Sequence, residues 1–151
     1  MVKEIIDESI KEKVATDILQ DLPEWFGIPE YTKDYIEKSK NMPFFAKYVE
    51  EIPVGFISLK ETSRYTAEIF CMGVQKLHQH CGFGKELFDA VERYARSKNY
   101  KFIQVKTVEQ GKYESYDLTN AFYKSMGFYE LEVFPSLWDA WNPCQVLVKA
   151  I

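Results

Sequence analysis

The residues best suited to chemistry are Gln79-His80-Cys81-Gly82-Phe83-Gly84-Lys85, which join a strand pattern ending at Val74 to a strongly amphipathic helix pattern. A helix start carries backbone N–H groups without intrahelical partners and the positive end of the helix dipole, so consecutive N–H groups from about Gln79 to Lys85 can converge on an anion. Gly82 and Gly84 let the backbone approach such a ligand closely. A bare Gly-x-Gly is weak; the strand before it, the glutamine three residues ahead of Gly82 and the helix after it carry the inference. A Rossmann reading fits worse, because Leu87 stands where a third glycine belongs. A P-loop fails for want of Gly-Lys-Ser or Gly-Lys-Thr.

Gln79-His80-Cys81-Gly82-Phe83-Gly84 resembles the (Gln/Arg)-x-x-Gly-x-(Gly/Ala) signature of the GNAT N-acetyltransferase family. Val74 sits where that family ends its fourth strand, and Asn120-Ala121-Phe122-Tyr123-Lys124-Ser125-Met126-Gly127-Phe128 is similar to its later Asn-x-x-Tyr-x-x-x-Gly-Phe element. The resemblance spans the chain, its first third by pattern only. It implies the acyl-CoA N-acyltransferase fold, acetyl-CoA as cosubstrate and direct transfer of the acetyl group to an amine. The loop from Gln79 through His80, Cys81, Gly82, Phe83, Gly84 and Lys85 would then hold the pyrophosphate. The backbone from Met72 to Val74 and the Asn120 side chain would hold the pantetheine arm. Pairing of two copies through the last strands is common in such proteins, although no residue here demonstrates it.

Acetyl transfer from a thioester to an amine needs an uncharged nitrogen, a stabilised oxyanion and a proton for the departing thiolate. Tyr123 lies one helical turn after Asn120, so both should project from one side, away from a Leu118/Ala121/Phe122 stripe. A phenol of pKa ~10 protonates a thiol of pKa ~8.5 only if the proton moves as the C–S bond breaks, or if the site lowers the phenol pKa. In the family a tyrosine here is the acid, and Tyr123 takes that role by resemblance. Glu68, a charge inside an apolar strand, is the candidate general base, directly or through a water. Gly73, inside that strand, suggests a bulge that splays it from the next strand and opens a slot.

The acceptor should enter between the N-terminal helices and the loop joining the last strands. Trp25, Phe26, Tyr31 and Tyr35 at one end, and Trp138, Asp139 and Trp141 at the other, offer aromatic faces and a carboxylate suited to a cationic or aromatic amine. Trp25, Phe26, Glu109 and Asp139 are the substrate-binding candidates. Cys71, Cys81 and Cys144 are odd in number and lack metal-ligand or CxxC spacing, so disulfides, zinc and a cysteine nucleophile are all disfavoured. His78 and His80 make no metal site. Two other readings stay open: an acyl-CoA-binding regulatory module without turnover, and an interaction domain on a degenerate version of the fold.

The elements that must position these groups read as a short strand near residues 2–6, helices at about 8–21 and from Thr32 to Lys40, and a meander Phe44–Val49, Val54–Lys60 and Thr66–Val74. Then come a helix from Gly84 to about Lys98, a strand Phe102–Val108, a helix Asp117–Met126, and strands Phe128–Phe134 and Gln145–Ala150 joined by a loop Pro135–Pro143. The order predicts an α/β (α+β) class with a mixed, mostly antiparallel sheet of six to seven strands and helices on both faces, in one domain over residues 1–151. At 151 residues and 46% hydrophobic composition the chain can build a sizeable core. A net charge of −4, with no long run of like charge, argues against nucleic acid. No signal-peptide or membrane-span pattern stands out, so the expectation is a cytoplasmic protein without a membrane partner.

Overall fold

Strand alternation decides which residues meet which helix. Phe44, Ala46 and Phe56 leave one face of their strands, while Phe45, Ile57 and Leu59 leave the other, because successive side chains point to opposite sides. In the computed structural model, which describes residues 1–151, the two sets belong to separate hydrophobic clusters. The first cluster packs against Val14, Ile18 and Leu19 of an N-terminal helix, the second against Leu87, Phe88 and Val91 of a later one.

The elements run β1 (Val2–Glu4), α1 (Glu8–Leu19), α2 (Pro29–Ser39), β2 (Phe44–Val49), β3 (Ile52–Ser63), β4 (Thr66–Val74), a 3-10 turn Lys76–His78, α3 (Phe83–Ser97), β5 (Phe102–Val108), α4 (Glu114–Ser125), β6 (Tyr129–Asp139) and β7 (Asn142–Ala150). Their strands form one seven-stranded sheet in the order β1-β2-β3-β4-β5-β7-β6. Only β4 and β5 pair in parallel. The mixed, mostly antiparallel sheet with helices on both faces is the predicted architecture. No helix is long and apolar enough to cross a membrane.

Several boundaries differ from those read off the sequence. Helix α2 starts at Pro29 rather than Thr32, since proline's fixed φ suits the first helical position. The predicted loop Pro135–Pro143 is largely a hairpin: Asp139 Oδ1 accepts the N–H groups of Trp141 and Asn142 at 2.9 Å each, closing a tight turn between β6 and β7. Pro135 is tolerated because β6 is an edge strand.

The β2–β3 turn consists of Glu50 and Glu51, both at positive φ (50° and 67°), a backbone that favours Asn-Gly. Replacing the pair by Asn-Gly is expected to stabilise the protein by about 1–2 kcal/mol and raise Tm by a few degrees, read by thermal melting.

The slot arises at the only parallel ladder. Thr66–Ile69 pairs with Phe102–Val105, and there the pairing stops. Opposite this point Ser58 pairs with Cys71 and Leu59 with Ile69, so Phe70 is the extra residue that bends β4 away. The bulge expected at Gly73 therefore lies at Phe70. Gly73 keeps a regular pairing with Phe56, and a Cβ there would lie 2.8 Å from Leu22 Cδ1 and 3.2 Å from Ile18 Cγ2. Its small size is needed for α1 to pack on the sheet.

Candidate active site

Between the diverging ends of β4 and β5 lies a cavity of about 680 Å³, bounded also by the loop after β4, the start of α3, one face of α4 and the segment after α1. The α4 stripe Leu118, Ala121, Phe122 and Ser125 lines it, and Leu118 is 58% exposed. The helix is thus turned the opposite way from the sequence expectation. Asn120 and Tyr123, 1% and 5% exposed, are its buried side, and the apolar stripe faces the ligand space.

At one end of the cavity Gly82 caps α3 at φ +82°. No acceptor in the protein takes the N–H of residues 80 to 85; the first helical bond is from Glu86 N–H to the Gly82 carbonyl. The Gln79 amide donates to the Val74 carbonyl at 3.0 Å and ties the loop to the end of β4. Met72, Val74, Gln79, His80, Gly82, Phe83, Gly84 and Lys85 all line the cavity, whereas Cys81 turns outward. A Cβ on Gly84 would stand 2.9 Å from Phe122 Cε1, so glycine here allows α4 to close against the loop. The arrangement presents free N–H donors and a helix dipole to an anion.

Farther along the slot, the Tyr123 hydroxyl points at Met72 Sδ, 3.8 Å away. Its ring makes edge contacts with Phe122 and Phe128, at centroid distances of 5.2 and 5.4 Å. Burial pushes its pKa well above the ordinary phenol value, the opposite of the lowering that would ease donation to a thiolate, so such donation would require the proton to move as the C–S bond breaks. The Asn120 amide donates to the Val108 carbonyl at 2.9 Å and pins α4 to the end of β5. Its Oδ1 has no partner, and neither has Thr107 Oγ1, which lines the cavity where β5 leaves β4. Asn120 does not line the cavity; of the two, Thr107 Oγ1 alone stands on its wall, where it fits an amide N–H of a pantetheine arm.

Glu68 is not brought to the cavity wall. It is 6% exposed, accepts from Gln104 Nε2 at 2.8 Å, and pairs with Lys106 Nζ at 3.2 Å. Cys71 reaches the cavity, but burial raises its thiol pKa far above the usual value, leaving no thiolate for attack.

At the other end of the cavity stand Trp25 and Phe26. The Trp25 indole N–H donates to Thr119 Oγ1 at 3.0 Å and to the Ser115 carbonyl at 3.2 Å. Phe26, Tyr35 and Phe70 form an edge-to-face series at 5.8 and 5.4 Å, and burial pushes the Tyr35 phenol up to about 12. Glu109 and Asp139 do not line the cavity, nor do Tyr31 and Trp141. The Asp139 carboxylate is occupied by the β6–β7 turn. Lys106, Thr107, Phe70 and Tyr116 line the site without having been singled out in the sequence. A charged residue midway along the apolar strand Phe102–Val108 was the signal for Lys106.

The sequence pattern described as the Acetyltransferase (GNAT) family matches residues 11–128. No curated protein matches the chain. Among solved structures, Ard1 from Thermoplasma volcanium is 20% identical with a TM-score of 0.79, over 100% of this chain and 97% of that one. The aminoglycoside 6'-N-acetyltransferase from Enterococcus faecium is 17% identical with a TM-score of 0.78, over 99% and 96%. An acetyltransferase of the same family from Elizabethkingia anophelis, solved with acetyl-CoA bound, is 18% identical with a TM-score of 0.69, over 90% of each chain. At these identities the likeness is one of fold.

Proposed function

The chain belongs to the acetyltransferase (GNAT) family, and from that premise we propose that it binds acetyl-CoA between β4 and β5 and transfers the acetyl group directly to a primary amine. The observation that carries this reading is the run of unpartnered N–H groups at residues 80–85, at one end of a slot that also holds the Tyr123 hydroxyl. The cosubstrate supplies an acetyl group activated as a thioester. Residues 79–85 bind its pyrophosphate, with Gly82 and Gly84 permitting close approach. The free edge of β4 from Met72 to Val74, the Thr107 oxygen and the apolar face of α4 hold the arm, while Asn120, expected to contact it, instead ties α4 to the end of β5. Tyr123, kept protonated by burial, donates to the sulfur as it departs. For a charged amine, proton removal would fall to Glu68 through an intervening water, since Glu68 does not reach the cavity wall and is held by Gln104 and Lys106; an amine that is already neutral needs no such base. The exposed edge strand β6, with Tyr129, Leu131 and Leu137 in solvent, supports pairing of two copies along that strand.

Calorimetric titration with acetyl-CoA, followed by thiol release against a panel of amines, tests the reading. Binding with amine-dependent release is the expected result. Binding without turnover on any amine favours an acyl-CoA-binding regulatory module, and absence of binding sinks the proposal. Cys71→Ala, measured alongside, is expected to keep kcat within about threefold, since no acyl-cysteine is formed. A collapse of turnover in that variant would replace direct transfer with a covalent route.

A further inference from the structure

The cavity is lined without a single aspartate or glutamate, while Lys106 lines it at the point where β5 parts from β4. The nearby carboxylates are committed or absent from the wall: Glu68 is held by Gln104 and Lys106, Asp139 closes the β6–β7 turn, and Glu109 faces elsewhere. The same lining includes the aromatic rings of Trp25, Phe26, Tyr35, Phe70, Tyr116 and Trp138. The polar tips of two of these rings are occupied. Trp25 donates to Thr119, and the Tyr116 hydroxyl donates to the Trp25 carbonyl at 3.4 Å.

We infer that the acceptor is a flat aromatic amine carrying an acid group, with its ring between these aromatic walls and its carboxylate on Lys106. The inference rests on the reading of the chain as an acetyl-CoA-dependent amine acetyltransferase. Aromatic walls also attract ammonium ions. Here, however, an ammonium would lie beside Lys106 with no free carboxylate to offset it, so a polyamine or another polycation is disfavoured. Lys106 Nζ spends one donor on Glu68 and, at the end of a partly exposed side chain, keeps others for a ligand carboxylate.

The chemistry points the same way. An alkyl ammonium, with a pKa near ~10, must first lose a proton to a base, and no carboxylate in contact with the cavity can take it. An aromatic amine is neutral at pH 7. Its lone pair attacks the thioester carbonyl, the C–N bond forms as the C–S bond breaks, and the sulfur takes the Tyr123 phenol proton. The proton lost from nitrogen then restores the phenol, so amine and thioester yield amide and thiol with nothing left over. No separate base is required for this class of acceptor.

The test compares thiol release from acetyl-CoA with 4-aminobenzoate, 4-aminobenzamide and spermidine, using the full chain. The expected kcat/KM for 4-aminobenzoate exceeds that for 4-aminobenzamide by about 10-fold and that for spermidine by about 100-fold. Lys106→Met should abolish the preference for the acid over the amide, and Lys106→Arg should restore it, with acetyl-CoA affinity unchanged within about twofold in both. Spermidine turned over as well as 4-aminobenzoate overturns the inference, as does a preference that survives Lys106→Met. Acetyl-CoA binding without turnover of 4-aminobenzoate sinks this inference alone; no acetyl-CoA binding sinks the proposed function with it.

Discussion

Tyr123→Phe is expected to lower kcat for thiol release by about 100-fold or more while leaving the fold and acetyl-CoA affinity in place. The hydroxyl has one protein partner, Met72 Sδ at 3.8 Å, a long contact to a weak acceptor. Its loss should cost under about 1 kcal/mol and move Tm by no more than about 4 °C. The ring keeps its edge contacts with Phe122 and Phe128, so the slot keeps its shape. Steady-state kinetics beside a thermal melt separate the two effects. A variant that turns over within threefold of the parent would remove Tyr123 from the acid's role.

Phe88→Ala should do the reverse, damaging the fold first. Phe88 is 1% exposed, lies in the larger hydrophobic cluster and meets Phe128 edge-on at 5.4 Å. Truncation removes a buried ring and leaves a hole that close-packed neighbours fill only in part, costing about 3–5 kcal/mol. For a chain of this length that corresponds to a Tm lower by about 6–20 °C. Phe128 in turn packs on Tyr123, so kcat should also fall although Phe88 does not line the cavity. A melt unchanged within 2 °C would show that the cluster does not depend on this ring.

What could be read from the amino acids alone follows from how local each feature is. Strands Phe44–Val49, Thr66–Val74 and Phe102–Val108 run as predicted, because their apolar runs end at turn residues or at a change of periodicity. The glycine-containing loop before α3 is local too, as strand, glycines and helix are contiguous. The partners of Glu68 were not legible: Gln104 and Lys106 reach it through the register of a parallel pair whose strands are separated by α3. Periodicity revealed the stripe on α4 but not what the stripe meets, and a ligand cavity and a core select the same apolar residues. The long β6–β7 hairpin was missed because one side chain, Asp139, closes the turn within a stretch whose prolines signal a loop.

The short parallel ladder at Thr66–Ile69 also divides the sheet into two leaves, β1 to β4 and β5 to β7, each completing its own hydrogen bonds. Within each leaf, hairpins join strands that follow one another in the chain, and such contacts form quickly. The leaves themselves meet only after α3 has crossed between them. During synthesis the first leaf can therefore assemble while everything from Phe102 onward is still unmade. Docking of the second leaf is then the late event, and the ligand cleft comes into being only in that final step.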